Sequence, residues 1–131
     1  LVASPFAYSR QRDPRRVGDM NDRHREALSV LGYFFLLNGK TGKALVLFRA
    51  LRDLFPGEPL FAGSLGYACL ALGDYRGALA ASEAFLERET DPAVRTAGCL
   101  LRGKALWGLG DAAGAREALN DGLAREGGRS G

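Results

Sequence analysis

The feature that most constrains this chain is an internal repeat. Three glycines, Gly32, Gly66 and Gly103, are separated by 34 and then by 37 residues. An alanine follows each glycine after twelve residues, so the alanines show the same two spacings. Repeats of this period are typical of stacked supersecondary units, each of which buries its apolar face against its neighbours.

The periodicity between these markers is helical. Apolar residues recur at intervals of three and four, and dipeptides that break helices separate the runs. The breakers are Asn38-Gly39, Pro56-Gly57, Gly73-Asp74, Asp91-Pro92 and Gly110-Asp111. We therefore predict six helices, at roughly 22–37, 42–54, 59–72, 75–88, 93–108 and 112–125. No segment alternates with a period of two, so no strand is expected.

The repeated small residues have a packing reason. Helices that cross closely need a small side chain at the contact, because the interaxial distance depends on the side chains there. We expect Gly32 and Gly66, and the alanines Ala44, Ala78 and Ala115, to lie at such crossings.

Composition divides the chain into three parts. Residues 1–19 contain Pro5, Pro14 and four arginines, and they carry two of the three net positive charges. They are expected to form an extended basic arm. Residues 20–126 form the helical domain, and the glycines of 127–131 predict a flexible tail. The nearly neutral body offers no basic stripe, so nucleic acid is not an expected partner.

Residues able to perform chemistry are sparse. The single histidine, His24, is interpreted as a solvated residue at a helix start, and no pattern predicts catalysis, a cofactor or a metal site. Cys69 and Cys99 are interpreted as core residues in a reducing compartment. The acidic residues Glu83, Glu87 and Glu89 are interpreted as one solvated face. No apolar run is long enough to span a membrane, and the absence of a signal-peptide pattern argues against secretion by the general route.

The repeat resembles the tetratricopeptide repeat. The first unit, 25–58, has its residues in register: Leu28, Leu31-Gly32, Phe35, Ala44, Phe48 and Pro56. The units 59–92 and 96–129 follow with Leu65-Gly66, Ala78 and Phe85, and with Gly103, Leu106 and Ala115. The resemblance implies an all-α fold of three helix pairs in a short right-handed α-solenoid.

The same resemblance implies a concave groove lined by the first helix of each unit. Its expected contact residues are Ser29, Tyr33, Leu36, Leu37, Leu60, Gly63, Tyr67, Leu70, Leu100, Lys104 and Trp107. They form a mostly apolar surface for a protein partner. The alternative interpretation is that some of them are ordinary core residues covered by neighbouring helices. Related repeats clamp the acidic tails of chaperones with Lys, Asn and Arg at set groove positions. This chain has other residues at those positions: Ser29, Tyr33, Ser64, Ala97 and Leu101.

The segment from Met20 resembles the type III secretion chaperones, most closely the SctY/YscY family. The resemblance depends on Met20–His24, Leu31-Gly32-Tyr33, the run 39–45 and Leu54-Phe55-Pro56. It implies binding of SctX, a secreted component of the export machinery, in the cytoplasm. The alternatives are a chaperone of type III translocator proteins and a general scaffold for assembly. Self-association is also expected, through the groove, through the arm with Phe6 and Tyr8, or through the last helix.

Overall fold

The computed structural model describes residues 20–130, with the side chains of residues 22–124. Six α-helices follow one another in this range, and it contains no strand. They are α1 (Met20–Leu37), α2 (Thr41–Leu54), α3 (Pro59–Ala71), α4 (Tyr75–Arg88), α5 (Pro92–Gly108) and α6 (Ala112–Ser130). The all-α prediction is confirmed, and the predicted boundaries agree within two residues except at the end of α6. The predicted arm at 1–19 lies outside the described residues.

The last helix is longer than predicted. We expected α6 to end at 125 and a tail to begin at 127, but the helical backbone continues through Gly127 and Gly128 to Ser130. Glycine lowers helix propensity by about 1 kcal/mol. Extending an existing helix nevertheless adds one hydrogen bond for each residue fixed, whereas only the first turn is costly. The predicted end of this helix is therefore wrong.

The turns within the three helix pairs share one geometry. Gly39, Gly73 and Gly110 have φ angles of +74°, +78° and +85°, in the left-handed region that glycine enters without steric cost. After α3, the Asp74 amide donates to Cys69 O at 2.9 Å and the Gly73 amide to Leu70 O at 3.0 Å. This pair of bonds is the Schellman motif. The turns after α1 and α5 repeat it, so the sequence repeat has a direct counterpart in the backbone.

The caps that follow these turns are alike in two of the three pairs. The Asp74 carboxylate accepts from the Gly77 amide at 3.0 Å, and Asp111 accepts from the Gly114 amide at 2.8 Å. Such side-chain acceptors satisfy amides that have no partner within the helix. At the equivalent position before α2, Lys40 makes no side-chain cap.

The small residues lie at helix crossings, as predicted. A Cβ atom added to Gly32 would lie 2.6 Å from Phe48 Cζ of α2. One added to Gly66 would lie 2.7 Å from Leu101 Cδ2 of α5. Ala44, Ala78 and Ala115 are buried. Close approach of the helices at these points therefore depends on the missing side-chain volume.

Successive helix pairs contact each other through α2 with α3 and through α4 with α5, and α3 also contacts α5. The largest apolar cluster draws Phe48 from α2 and Phe61 and Leu65 from α3. A second cluster joins Phe85 of α4 to Leu101 of α5. The core is thus continuous across the junctions between pairs.

Candidate functional site

The predicted groove residues lie on α1, α3 and α5, the first helix of each pair. Counting back from the three turn glycines places them in equivalent registers: Tyr33, Tyr67 and Lys104 form one set, and Leu36, Leu70 and Trp107 form another. Equivalent positions on equivalent helices lie on corresponding faces. Their exposure nevertheless differs greatly from one helix to the next.

On α1, Tyr33 is half-buried and linked to the next pair. Its hydroxyl shares a hydrogen bond with Ser64 Oγ of α3, and its ring centroid lies 5.1 Å from that of Phe48. Leu36 also packs against this core cluster. Tyr33 therefore contributes to the contact between α1 and α3 as well as to the surface. Ser29 is half-buried, and Leu37 is exposed.

On α3, the predicted residues are more covered. Gly63 is buried, whereas Leu60, Tyr67 and Leu70 are half-buried. All three half-buried side chains pack against the cluster that contains Phe85 and Leu101. The middle of the predicted groove therefore offers only part of each side chain to a partner.

On α5, the predicted residues are exposed. Leu100 and Trp107 expose 44% and 69% of their area, and Lys104 between them is also exposed. The spacing of four and three residues places all three on one face of the helix. The equivalent Leu36 and Leu70 are half-buried, because they pack against apolar clusters that include residues of the next helix pair. No further pair follows α5 and α6 within residues 20–130.

One neighbour of Trp107 was not anticipated from the sequence. A Cβ atom added to Gly108 would lie 2.3 Å from Tyr75 Cδ1, so the Tyr75 ring covers the backbone beside Trp107. The sequence did contain a signal for this contact. Gly108 is the smallest of the three residues at its repeat position, the others being Leu37 and Ala71, and Tyr75 is the first residue of α4 in the preceding pair. Together Tyr75 and Trp107 make the end of α5 the most aromatic part of the candidate surface.

The acidic face predicted at Glu83, Glu87 and Glu89 is wrong for its last member. Glu83 and Glu87 are exposed, but Glu89 exposes only 3% of its area. Its Oε2 accepts from the amides of Thr90 and Asp91 at 3.1 Å each, and Arg95 Nη1 donates to its carbonyl oxygen at 2.7 Å. Glu89 therefore organises the link between α4 and α5, since it provides the acceptors that the turn's amides need.

Reactive side chains do not cluster in the described part of the chain. His24 is exposed on α1. Cys69 and Cys99 are buried free thiols, as expected of core residues. Burial raises the pKa of the Cys69 thiol, and the nearby Asp74 carboxylate raises it further. Among the described residues, no group of three or more His, Cys, Asp or Glu side chains is arranged to hold a metal ion.

An open cleft of about 300 Å³ lies among α2, α3 and α4. Charged residues of both signs line it, including Arg52, Arg88, Glu58 and Glu87. It contains none of the predicted contact residues. Its mixed charge provides no preference for one class of small ligand.

None of the helices in residues 20–130 is both long and apolar enough to cross a membrane. Comparison of the chain with protein-family models and with curated proteins finds no match.

Proposed function

We propose that the chain is a protein of three tetratricopeptide-type helix pairs, arranged as a short right-handed α-solenoid, that binds an apolar helical segment of another protein. Three Schellman turns at the spacing of the sequence repeat support this arrangement. So do the small residues at the helix crossings. Units of this kind expose one face of their first helices, and that face is their usual binding surface.

The observation that carries the binding proposal is the exposure of Trp107. A tryptophan with 69% of its area exposed leaves a large apolar surface in water, and Trp is among the residues that most often dominate protein interfaces. Leu100 extends the apolar stripe toward the start of α5. Lys104 lies between them and favours a partner with an acidic residue beside its own apolar stripe.

We further propose that the chain is a cytoplasmic type III secretion chaperone of the SctY type, which shields a helical part of an SctX-like component before export. The similarity of the segment from Met20 to that family supports this choice of partner. An exposed apolar stripe of limited length also suits a small helical guest. In this proposal the protein binds and does not catalyse.

The experiment uses the fluorescence of Trp107, which is the only tryptophan of the chain. Purified full chain is titrated with a purified SctX-like protein, and burial of the indole in the complex should shift its emission to shorter wavelength. Calorimetry then compares the parent with Trp107→Ala. Truncation of a central interface aromatic costs about 2–4 kcal/mol, so the affinity should fall roughly 30- to 1000-fold.

The matched control is Val46→Ala on α2, because Val46 is 66% exposed and lies off the predicted groove. It should leave the affinity unchanged. If the SctX-like protein binds but Trp107→Ala has no effect, the proposed surface is wrong. If it does not bind and a translocator segment does, the chain belongs to the other chaperone class. Failure of both would favour the scaffold alternative.

A further inference from the structure

The first helix exposes an apolar face that its counterparts bury. Val30 and Phe34 expose 64% and 57% of their area, whereas the equivalent Ser64 and Ala68 of α3 expose none. Leu101 and Ala105, the equivalents on α5, expose 4% and 0%. The backbone register is the same in all three helices. The difference therefore arises from what lies across from each helix.

Contacts at the junctions between pairs show what covers this face on α3 and α5. The ring of Phe61 on α3 lies 6.1 Å from that of Phe55 at the end of α2. On α5, a Cβ atom added to Gly98 would lie 2.9 Å from Leu86 Cδ2 of α4. Arg102 of α5 pairs with Glu83 of α4 at 3.5 Å. The face is thus covered by both helices of the preceding pair, since Tyr33 of α1 also bonds to Ser64 of α3 and Gly66 of α3 lies against Leu101 of α5.

We define the α1 end face as Ala27, Val30, Leu31 and Phe34, the residues of α1 in these registers. All four are exposed, Leu31 by 40%. Because α1 belongs to the first described pair, no preceding pair in the described chain covers this face. An apolar helix face of this kind is rare on a protein that remains alone in water.

The opposite end of the molecule carries the complementary half of the junction. Leu123 of α6 is equivalent to Leu86, the residue of α4 that packs against Gly98. Leu123 exposes 63% of its area, whereas Leu86 is half-buried. Leu119, equivalent to the fully buried Phe48 and Ser82, is 37% exposed. We define the α6 end face as Leu119, Asn120 and Leu123.

We propose that the α6 end face of one copy docks on the α1 end face of a second copy, so that the chain associates head to tail. The chain builds this junction twice within itself, through α2 with α3 and through α4 with α5. A third junction between copies would continue the same packing. Register equivalence would set Leu123 against the small Ala27 of the second copy, as Leu86 is set against Gly98.

The chemistry of the two faces agrees with this pairing. Asn120 takes the register of Glu83 and Leu31 that of Arg102, so uncharged residues replace both partners of the Glu83–Arg102 ion pair. The contact is therefore mainly apolar. A contact between two different patches does not close on itself unless the rotation closes a ring, so the assembly should grow beyond a dimer as the concentration rises.

The test uses two charge variants of the full chain, Phe34→Glu and Leu123→Glu, each of which blocks one end face. The matched control is Val46→Glu, since Val46 is about as exposed and lies outside both faces. Sedimentation velocity measures the mass of each over a wide range of concentration. Circular dichroism checks that each variant keeps the helix content of the parent.

The parent and Val46→Glu should form assemblies larger than a dimer at high concentration. Each end-face variant alone should remain a monomer. An equimolar mixture of Phe34→Glu and Leu123→Glu should form a 1:1 dimer that grows no further, because each variant retains the face that the other lacks.

Four results would overturn the proposal. A parent that remains monomeric at all concentrations has no such contact. Association of Leu123→Glu alone would mean that two α1 end faces, or an α1 end face and some other partner surface, meet instead. Association of Phe34→Glu alone, or a mixture without heterodimer, would equally exclude the head-to-tail arrangement. Because Trp107 takes the register of Leu36 and Leu70, which pack toward the next helix pair, the assembly would also cover Trp107. Binding of an SctX-like protein is therefore also measured with Phe34→Glu, which cannot form the head-to-tail contact and keeps Trp107, so the two proposals fail separately.

Discussion

Replacing Gly98 with alanine would test the packing that joins the second and third helix pairs. Gly98 is buried in α5, and a Cβ atom added there would lie 2.6 Å from Cδ2 and 2.7 Å from Cε2 of Phe85. It would also lie 2.9 Å from Leu86 Cδ2. Carbon atoms pack at about 3.5–4.0 Å, so the methyl group is roughly 1 Å too close to all three.

Two opposing effects determine the sign of the change. Alanine in a helix interior is favoured over glycine by about 0.8–1.0 kcal/mol. Overpacking a dense core costs about 1–3 kcal/mol. The ring of Phe85 exposes 0% of its area, so it has no open space into which to move. We therefore expect Gly98→Ala to lower the free energy of unfolding by about 0–2 kcal/mol, the difference between the two effects.

A second substitution, Gly42→Ala, separates the cost of overpacking from the gain in helix propensity. Gly42, at the start of α2, is exposed and has no atom within 4 Å of an added Cβ. Gly42→Ala should therefore raise the free energy of unfolding, by roughly 0.5–1 kcal/mol. The difference between the two variants removes most of the propensity gain and leaves an overpacking term of about 1–3 kcal/mol.

Urea unfolding followed by circular dichroism at the helical band measures both variants, with the midpoint compared at an unchanged denaturant slope. A net loss of 1 kcal/mol would lower Tm by about 3–6 °C in a domain of this size. If Gly98→Ala stabilises the protein as much as Gly42→Ala does, then Phe85 does not pack against Gly98 and the described junction between α4 and α5 is incorrect.

The remaining predictions concern the helix caps and the thiols. Asp74→Ala and Asp111→Ala should each lower the free energy of unfolding by about 1 kcal/mol, whereas Lys40→Ala, which removes no cap, should change it by less than about 0.5 kcal/mol; equal losses at all three positions in thermal melts would contradict the cap assignments. Both Cys69 and Cys99 should react with a thiol reagent only when the chain unfolds, and rapid labelling of the native protein would contradict their burial. Because burial raises the pKa of Cys69, the unfolded thiol ionises first, near its ordinary pKa of about 8.5. Stability should therefore decline as the pH rises above that value, and this decline should be smaller in Cys69→Ala.

The sequence was sufficient to predict the helices, because the residues that mark the start and end of each helix act locally. A glycine that must adopt a positive φ, such as Gly73 or Gly110, ends a helix whatever lies around it. The spacing of Gly66 from Ala78 likewise marks a crossing within one pair, where the two helices are joined by a short turn. The end of α6 was missed because Gly127 and Gly128 lower helix propensity without preventing a helix, and propensity alone is a weak guide at such positions.

The exposure of individual apolar residues was decided only by the tertiary structure. Val30 and Leu101 occupy the same register and are both apolar, yet one is exposed and the other buried. The reason is that α3 and α4 of the preceding pair cover α5, whereas no described helix pair precedes α1. Trp107 and Leu70 also share a register, yet Trp107 is more exposed, because no described helix pair follows α5 and α6. From the sequence, Glu89 is expected at the surface. It is buried because its carboxylate accepts hydrogen bonds from the Thr90 and Asp91 amides of the turn. The local sequence pattern specifies which residues form an apolar helix face. Burial of that face depends on whether a helix distant in sequence covers it. A repeat gives the same pattern to covered and uncovered helices, so the pattern alone cannot distinguish them.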